Sequence, residues 1–449
     1  MFGTDGIRGT TNKAPMTASI TLEVAQACAC VLIGKKRNHK KPKVVIGKDT
    51  RLSGYMFESA LTSGFCSMGA DVLLVGPIPT PGIAFLTEGM RADAGMMISA
   101  SHNPFEDNGI KVFGSDGFKL SDELEHEITR MYNSKQDLRS YLPKASDVGK
   151  AYRLQDALGR YISYLKHHFP KKLSLDGIKM VVDCAHGATY KVAPTVFSEL
   201  GAKVILVGAE PDGTNINEQC GATEPKKLIQ SVLDEQADIG VSFDGDGDRV
   251  LLCDSKGKLW DGDQILALYA KHFLHSDRVG PGVVGTVMSN LGLELEIKKM
   301  GLHFLRSSVG DRYVSSTMRD NGFLLGGEPS GHLLFLDKST SGDGILSALM
   351  VLEILCLQEK NLADLEAGFH TFPQQLRSIS VKERKPLEEW SRLQSLIEKA
   401  EETLKDQGRV LVRYSGTENK IRVMVEAIDA SQVSHWVEEI SDLVEKEIG

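Results

Sequence analysis

No stretch of this sequence is both apolar and long enough to cross a lipid bilayer. The longest apolar run, residues 348–357, is interrupted by Glu353 and is much shorter than the roughly 20 residues that a spanning helix needs. We interpret this run as a buried helix. The residues that follow Met1 are charged and rich in glycine, so no signal peptide is predicted. We therefore expect a protein without a membrane partner.

The sequence is also short of cysteine and has no excess of positive charge. Its seven cysteines have no paired spacing, which argues against a disulfide framework and predicts reduced thiols in the cytoplasm. The formal net charge of -8 argues against a general nucleic-acid binder, so local arginines and lysines must attract any anionic ligand. The one dense basic stretch, residues 35–43, is interpreted as a solvated linker between a helix and a strand.

The length and the alternation of elements predict several domains. A chain of 449 residues exceeds the size at which a single core keeps growing. Strand-like and helical segments alternate three times along it, a pattern typical of α/β units with partly parallel sheets. We therefore predict three similar mixed-sheet α/β domains over residues 1–150, 151–254 and 255–368.

The C-terminal part follows a different pattern. Residues 369–449 contain a strand, a helix with apolar residues from Leu387 to Leu404, a hairpin and a final helix. Both helices carry the apolar stripe of an amphipathic helix. This part is predicted to be a smaller α+β domain, with Trp390 and Trp436 in its core.

The first segment with a chemical signature surrounds Ser101. An apolar run that reads as a buried strand ends at Ile98, and Ser101-His102-Asn103 follows it, with Lys111 a few residues later. Ligands bind at the carboxyl ends of strands in open α/β sheets. A hydroxyl beside an imidazole, an amide and an ammonium group suits a serine that carries a phosphoryl group. Taken alone, the segment fits a structural serine turn equally well.

A second segment crowds three carboxylates together. Asp244, Asp246 and Asp248 alternate with glycines after a strand-like run. Alternate side chains of an extended chain project to one side, and crowded carboxylates repel one another unless a cation neutralises them. A calcium-binding EF-hand would need glycine and glutamate where Arg249 and Ser255 stand. The segment therefore predicts Mg²⁺, which needs few protein oxygens, and a solvated acidic turn is the alternative.

A third segment is a glycine-rich turn that follows the apolar residues 323–325. It contains Glu328, Ser330 and His332. The carboxylate and the hydroxyl could exchange hydrogen bonds with the hydroxyls of a sugar, with His332 behind them. As an isolated turn, this segment is weak support for sugar binding.

A fourth segment lies between two strands near the C-terminus. Ser415, Gly416 and Thr417 offer hydroxyls and backbone N–H groups, and Arg413 and Arg422 flank them with planar donors. Such an arrangement suits the binding of a phosphate. A hairpin turn stabilised by serine and threonine is the alternative.

Taken together and in this order, the four segments resemble the α-D-phosphohexomutase superfamily across nearly the whole chain. That superfamily carries a phosphoserine loop, a metal loop, a sugar-binding loop and a phosphate-binding loop, one on each of four domains. Residues 2–9 (FGTDGIRG) and 309–314 (VGDRYV) resemble its amino-sugar branch. Two positions depart from many relatives: Pro329 in the sugar loop and Asn419 in the phosphate loop.

The resemblance implies a fold, a reaction and a set of roles. The fold would be three similar α/β domains and a smaller C-terminal domain around a central cleft. The reaction would interconvert glucosamine 6-phosphate and glucosamine 1-phosphate through phosphorylated Ser101 and a 1,6-bisphosphate, feeding UDP-N-acetylglucosamine synthesis. Mg²⁺ would bind the three aspartates and a phosphoserine oxygen. Arg8 and Lys111 would lie near the phosphoserine, with Lys111 or His102 transferring the proton.

Other functions remain open from the sequence. A phosphomannomutase or phosphoglucomutase would use the same four loops on a different sugar. A Mg²⁺-dependent phosphatase would also form a phosphoenzyme but has little need of a second phosphate site, so Arg413 and Arg422 favour a mutase. A sugar-phosphate sensor would not call for a metal loop. The expected partner is a small phosphosugar, and the expected assembly is a monomer or homodimer.

Overall fold

The protein is described by a computed structural model that covers residues 1–3, 5–34, 41–382, 384–415 and 419–449. Its described part contains three α/β units, each built on its own mixed sheet, and a smaller C-terminal α+β unit. The predicted fold class is therefore confirmed. Most of the predicted basic linker, residues 35–40, lies outside the described residues.

The first unit is built on a six-stranded sheet. Its strands are β1 (Ile7–Thr10), β2 (Lys43–Lys48), β3 (Asp71–Pro77), β4 (Ala94–Ile98), β5 (Asp107–Gly114) and β6 (Ala151–Arg153). Its helices are α1 (Ala18–Cys28), α2 (Gly54–Ser67), α3 (Thr80–Gly89), α4 (Asp122–Asn133) and α5 (Lys135–Ser140). The strand order is β1-β5-β4-β2-β3-β6, and β5 runs antiparallel to both of its neighbours. The parallel strands β2 and β4 therefore end at the edge where Ser101 follows β4.

The second unit repeats this plan with a five-stranded sheet. Its strands are β7 (Lys179–Asp183), β8 (Lys203–Val207), β9 (Ile239–Phe243), β10 (Val250–Asp254) and β11 (Leu259–Trp260). Its helices are α6 (Ala157–His167), α7 (Val192–Glu199) and α8 (Lys226–Asp234). The order is β11-β10-β9-β7-β8, with β7, β8 and β9 parallel. The aspartate-rich segment lies between β9 and its antiparallel neighbour β10.

The third unit has a four-stranded sheet. Its strands are β12 (Gly282–Thr286), β13 (His303–Ser307), β14 (Leu325–Gly327) and β15 (Leu333–Phe335), and its helices are α9 (Gly262–His272), α10 (Leu291–Lys299), α11 (Asp311–Asn321) and α12 (Gly344–Gln358). The order is β13-β12-β14-β15, and only β15 is antiparallel to its neighbour. Glu328 directly follows β14. Helix α12 contains the apolar run at residues 348–357 and is buried over most of its length, as predicted.

The C-terminal unit packs two helices against a three-stranded antiparallel sheet. Its elements are β16 (Gln374–Ser380), α13 (Ser391–Leu404), β17 (Gly408–Tyr414), β18 (Lys420–Ala427) and α14 (Ala430–Ile448), and the strand order is β16-β18-β17. The prediction that α13 would start near Leu387 is wrong. Pro386 precedes a single 3₁₀ turn there, and Trp390 has a non-helical ψ of 80°, so the helix begins at Ser391. Trp390 and Trp436 are buried in the core, as predicted.

The packing brings the first three units together. One apolar core runs through all three and includes Phe113, Phe243 and Phe335, and the C-terminal unit has a core of its own. Arg409 donates hydrogen bonds to the carbonyls of Val287 and Ser289 and so joins the C-terminal unit to the third. Among the described residues, no helix is long and apolar enough to cross a membrane.

Candidate active site

Ser101 lies at the carboxyl end of β4 in a left-handed backbone conformation. Its φ is 52°, which is uncommon for a residue other than glycine. The side chain is buried, and its Oγ donates a 2.6 Å hydrogen bond to Asp244 Oδ2. His102 Nδ1 lies 3.5 Å from the same Oγ. The serine hydroxyl therefore faces the acidic segment of the second unit.

The three aspartates converge because their segment is a turn and not an extended strand. Gly247 has a φ of 70°, which bends the chain. Oxygens of Asp244, Asp246 and Asp248 all lie within 4.8 Å of one another. Asp246 Oδ1 is buried without a hydrogen-bond partner, which is costly unless a cation binds it, and Asp248 Oδ1 lies 3.5 Å from His332 Nδ1. These residues therefore fit a hard divalent cation.

Lys111 neutralises part of this acidic cluster. Its Nζ lies 2.8 Å from both Asp246 Oδ2 and Asp248 Oδ2, and 3.1 Å from Asp5 Oδ2. Burial alone would lower the pKa of Lys111, but these three carboxylates raise it well above its usual value. By contrast, burial and repulsion from Asp248 and Asp246 raise the pKa of Asp244 to about 8. Charge is therefore unevenly shared among the three aspartates.

Asp5, Lys119 and Asp311 extend this charge network, and sequence reasoning assigned no role to these three side chains. Lys119 pairs with Asp5 and with Asp311. His332 lies between Asp311 Oδ2, 3.3 Å from its Nε2, and Asp248 Oδ1, 3.5 Å from its Nδ1. Burial lowers the pKa of His332, but the two carboxylates raise it overall. Acidic and basic side chains alternate along this network of ion pairs, and the network joins all three α/β units.

Two predicted groups lie around this network. Arg8 pairs with Asp5. Burial together with Arg249 and Arg8 lowers the pKa of His102 to about 4, so its imidazole is neutral near pH 7. A third predicted residue, His332, faces two carboxylates. It therefore belongs to the charge network as well as to the predicted sugar loop.

Glu328 is held at the start of helix α11. The N–H of Gly310, the residue before the helix, donates a 2.8 Å hydrogen bond to Glu328 Oε1. Ser330 Oγ lies 3.4 Å from the other carboxylate oxygen. The VGDRYV segment therefore orients the carboxylate of the predicted sugar loop. This contact explains why two segments that are distant in sequence belong to one site.

The fourth predicted segment presents two arginines side by side. Arg413 on β17 faces Arg422 on β18 across the hairpin. Burial and the positive charge of Arg422 lower the pKa of Arg413, and Arg422 Nε is buried without a hydrogen-bond partner. Within the described ranges neither arginine forms an ion pair, so the two cations suit an anionic ligand. Ser415 is buried next to them, whereas Gly416 and Thr417 lie outside the described residues.

The structure brings three of the four predicted segments into direct contact. Ser101 contacts Asp244, and Asp248 contacts His332. In the part of the chain that is described, no hydrogen bond or ion pair joins Arg413 or Arg422 to those three segments. The site therefore consists of a buried charged centre and a separate cationic pair on the C-terminal unit.

The sequence matches the phosphoglucomutase/phosphomannomutase family along nearly its whole length. Residues 1–139 match its alpha/beta/alpha domain I, 159–257 domain II, 261–372 domain III, and 376–443 its C-terminal domain. In structure, the chain is similar to a phosphoglucomutase/phosphomannomutase family protein from Burkholderia thailandensis, with a TM-score of 0.80, 22% identity and coverage of 99% of this chain and 98% of the other.

More similar sequences have a narrower name. A phosphoglucosamine mutase from Desulfotalea psychrophila is 52% identical over 99% of this chain and 98% of its own. One from Geotalea uraniireducens is 50% identical over 100% and 98%. An N-acetylphosphoglucosamine mutase from Aspergillus fumigatus, solved with GlcNAc-6P and magnesium, has a TM-score of 0.66 at 18% identity and covers 99% of this chain and 95% of its own. The chain belongs to the phosphoglucomutase/phosphomannomutase family, in its phosphoglucosamine mutase branch.

Proposed function

We propose that this chain interconverts glucosamine 6-phosphate and glucosamine 1-phosphate, with Ser101 as the residue that carries the phosphoryl group. The hydrogen bond of 2.6 Å between Ser101 Oγ and Asp244 carries this proposal, because it puts a buried hydroxyl against a cluster fit for a cation. The choice of sugar is supported by about 50% identity to phosphoglucosamine mutases over the whole chain. The expected partner is a small phosphosugar.

The reaction consists of two balanced transfers. Phosphorylated Ser101 gives its phosphoryl group to O1 of glucosamine 6-phosphate: the P–Oγ bond breaks, a P–O1 bond forms, and the O1 proton leaves. The resulting 1,6-bisphosphate then reorients in the active site, so that its 6-phosphate faces Ser101. Ser101 Oγ then takes the phosphoryl group from O6, which regains a proton, and glucosamine 1-phosphate is released. The net reaction moves phosphate within the sugar and consumes no water.

Mg²⁺ is the proposed cofactor. Asp244, Asp246 and Asp248 would hold it together with an oxygen of phosphorylated Ser101. When bound, it neutralises negative charge as the phosphoryl group moves. The convergence of the three carboxylates and the buried Asp246 Oδ1, which has no hydrogen-bond partner, support this assignment.

His102 is the favoured group for moving the proton. Its Nδ1 lies 3.5 Å from Ser101 Oγ, whereas the Lys111 ammonium is surrounded by three carboxylates that retain its proton. Lys111 then acts mainly as a fixed positive charge near the phosphoserine. Arg8, which is tied to Asp5, adds a second positive charge there.

The remaining residues would bind the substrate. Glu328 and Ser330 would contact the sugar ring, with His332 beside them. The phosphate that does not react would bind to the C-terminal unit. The residues of that unit that would bind it are Arg413, Ser415, Gly416, Thr417 and Arg422. Holding this phosphate also positions the reacting hydroxyl.

We further propose that the chain works as four domains, residues 1–150, 151–254, 255–368 and 369–449. Two short strands lie just beyond the first two boundaries. Strand β6 pairs in the sheet of the first unit, and strand β11 pairs in the sheet of the second. None of the seven cysteines forms a disulfide in the described part of the chain, and five of them are buried, which supports a cytoplasmic location.

Product formation from three substrates tests the function. The enzyme, primed with glucose 1,6-bisphosphate and Mg²⁺, is given the 6-phosphates of glucosamine, glucose and mannose. We expect the highest kcat/KM for glucosamine 6-phosphate and no release of inorganic phosphate. A higher value for glucose or mannose would assign the chain to hexose phosphates. Stoichiometric phosphate release would make it a phosphatase.

A further inference from the structure

The conformation of Ser101 requires support from its surroundings. A φ of 52° is sparsely populated by serine, and such residues persist only where neighbouring groups hold them. Both backbone groups of Ser101 are in fact held. Its N–H donates a 2.9 Å hydrogen bond to Ser99 Oγ, and its carbonyl accepts bonds from two side chains. The direction of Oγ toward Asp244 depends on these contacts.

The first of these side chains is Arg51, which is fully buried. Its Nη2 donates to the carbonyls of Ser101, at 3.0 Å, and Asn103, at 2.8 Å. Its Nη1 donates to the carbonyls of Pro104 and Asp107. One guanidinium group therefore bonds to four carbonyls of the segment that contains Ser101. A planar group with several fixed donors suits this task, which the single ammonium of lysine could not perform.

Asp49 connects this guanidinium to the other side of Ser101. Its Oδ2 accepts a 2.8 Å bond from Arg51 Nε and a 2.6 Å bond from Ser99 Oγ. Ser99 Oγ in turn accepts the N–H of Ser101. The Asp49 carboxylate thus links the groups that hold the N–H and the carbonyl of Ser101. Ser99 is occupied by this role and is not free to compete with Ser101 for a phosphoryl group.

The second side chain comes from the neighbouring unit. Asn217 Nδ2 donates to the carbonyls of Ser101 at 3.0 Å and Asn103 at 3.1 Å, the same two that Arg51 Nη2 contacts. The metal-loop glycine Gly245 packs at this point, since a Cβ there would lie 2.6 Å from the Ser101 carbonyl oxygen. Asn217 therefore ties the serine segment to the unit that carries the aspartates.

We propose that Asp49, Ser99, Arg51 and Asn217 are positioning residues that hold Ser101 in its left-handed conformation and aim its Oγ at the metal loop. This inference rests on the proposed role of Ser101 as the phosphoryl carrier. Its consequence is specific: loss of these contacts should slow phosphoryl transfer at Ser101 more than it weakens substrate binding or folding.

Asn217→Gly provides the sharpest test. Asn217 has a φ of 61°, so glycine keeps the backbone conformation while removing the amide. Asn215→Ala is the matched control, because among the described residues the Asn215 amide bonds only to its own loop, at the Asp212 N–H and the Glu210 carbonyl. Arg51→Lys is a second variant, which keeps the charge but loses the planar set of donors.

The measurements separate positioning from folding. We expect Asn217→Gly to lower kcat about 10-fold and Arg51→Lys about 100-fold, with KM within about threefold of wild type, since small misplacement of a reacting group slows chemistry strongly. The rate at which glucose 1,6-bisphosphate phosphorylates Ser101, followed by intact mass, should fall in parallel. The melting temperature of Asn217→Gly and all parameters of Asn215→Ala should stay close to wild type.

Other results would overturn the inference. If Asn217→Gly kept the wild-type rate of Ser101 phosphorylation, or lost activity only in proportion to unfolded protein, these residues would be structural. If Arg51→Lys does not fold, the Asn217 variant still decides. Failure of the proposed function looks different, because wild-type protein would then take no phosphate on Ser101. Use of another hexose phosphate would leave the test intact, with that sugar as substrate.

Discussion

Ser101 Oγ and Asp244 Oδ2 are 2.6 Å apart, although 143 positions separate the two residues in sequence. The hydrogen bond spans two units, because Ser101 follows β4 in the first sheet and Asp244 follows β9 in the second. The segments that follow the two strands meet at this bond. A phosphoryl group on Ser101 would therefore lie next to the acidic cluster. A cation bound in that cluster would neutralise negative charge on the phosphoryl group that is transferred.

Replacing this hydroxyl is expected to abolish the phosphoenzyme. Ser101→Ala removes the only side-chain oxygen that the proposed transfer uses, whereas the neighbouring Ser99 Oγ is already bonded to Asp49 and to the Ser101 N–H. Activity should fall at least about 1,000-fold, since covalent catalysis is lost. Intact mass and phosphopeptide mapping before and after incubation with glucose 1,6-bisphosphate measure the modification. Phosphate on Ser99 of the variant would refute the assignment.

The aspartates should differ when the metal is removed. Asp246 is paired with Lys111 at 2.8 Å and accepts a bond from Thr80, whereas Asp244 has no ion pair among the described residues and its pKa is raised to about 8. In the presence of EDTA at pH 7, Asp244→Asn should therefore stabilise the protein and Asp246→Asn should destabilise it, each by about 1–3 kcal/mol. Urea unfolding measures both values.

Added Mg²⁺ provides the complementary measurement. It should raise the unfolding midpoint of the wild type but have much less effect on either variant, because ligand binding to the folded state stabilises it. Both variants should also lose most activity. Equal destabilisation of the two metal-free variants would contradict the unequal charge sharing inferred from the Lys111 contacts.

The arginine pair should act mainly on binding. Arg422→Ala removes a charge-assisted donor, a contact worth roughly 1.5–3 kcal/mol, and should raise KM about 10-fold or more. Without a ligand, it should cost little stability, because it also relieves repulsion from Arg413. Steady-state kinetics and thermal unfolding test both points. Arg377→Ala is the control, since the ion pairs of Arg377 on β16 with described residues are those with the exposed acids Asp442 and Glu445. A fall in kcat at unchanged KM would instead put Arg422 at the transferring group.

A pH effect on stability is expected from Asp343 at the start of α12. Its Oδ2 accepts a 2.7 Å bond from the Tyr161 hydroxyl, and its Oδ1 accepts the Leu346 N–H. Burial raises the pKa of Asp343 to about 6, above its ordinary value near 3.9. The folded state therefore binds the proton more tightly, so the contribution of Asp343 to stability is greatest below about pH 4 and falls as the pH rises through about 6.

Asp343→Asn isolates this contribution, because an amide is neutral throughout. Its oxygen can still accept the Leu346 N–H, and its NH₂ can donate to the Tyr161 hydroxyl oxygen, which reverses the direction of that bond. The variant should gain stability relative to wild type between pH 4 and pH 7, by about 3 kcal/mol at most. Urea unfolding across this range gives the difference. A difference that does not change with pH would mean that Asp343 ionises normally in the folded protein.

The fold could be predicted largely from local patterns. Buried strands such as β4 and β9 and the apolar helix α12 are recognisable by composition alone. The start of α13 was not predictable from its apolar stripe, because the Pro386 turn and the ψ of Trp390 outweigh that periodicity. The membership of β6 in the first sheet depends on pairing with β3, which no local pattern encodes.

The site was predictable where motifs mark it and not where tertiary contacts create it. Ser101 and the three aspartates stand at strand ends with distinctive neighbours. The partners of Asp5 and Lys119 have no local sign in the sequence, because their roles arise from contacts within the first unit and with the third. Arg51 likewise reads as an ordinary basic residue until its buried contacts with backbone carbonyls are seen.

The choice of sugar should depend on the charge of Glu328. The carboxylate is fixed by the Gly310 N–H at 2.8 Å, and an ionised group in that position can pair with the 2-ammonium group of glucosamine. Glu328→Gln keeps an acceptor for Gly310 but removes the charge. The preference for glucosamine 6-phosphate over glucose 6-phosphate, measured as a ratio of kcat/KM values, should fall about 10-fold or more.

Ser330→Ala separates charge from contact with the ring. Its hydroxyl lies 3.4 Å from Glu328 Oε2, so the variant loses a neutral partner while the carboxylate stays. The variant should lower kcat/KM for glucosamine 6-phosphate and glucose 6-phosphate to a similar degree. The ratio of the two kcat/KM values should stay within about threefold of wild type, because a neutral hydrogen bond does not distinguish an ammonium from a hydroxyl. Glu328→Gln could instead lower kcat/KM equally for the two sugar phosphates. Glu328 would then bind hydroxyls that both sugars share, and the preference for an amino sugar would have to arise from other residues.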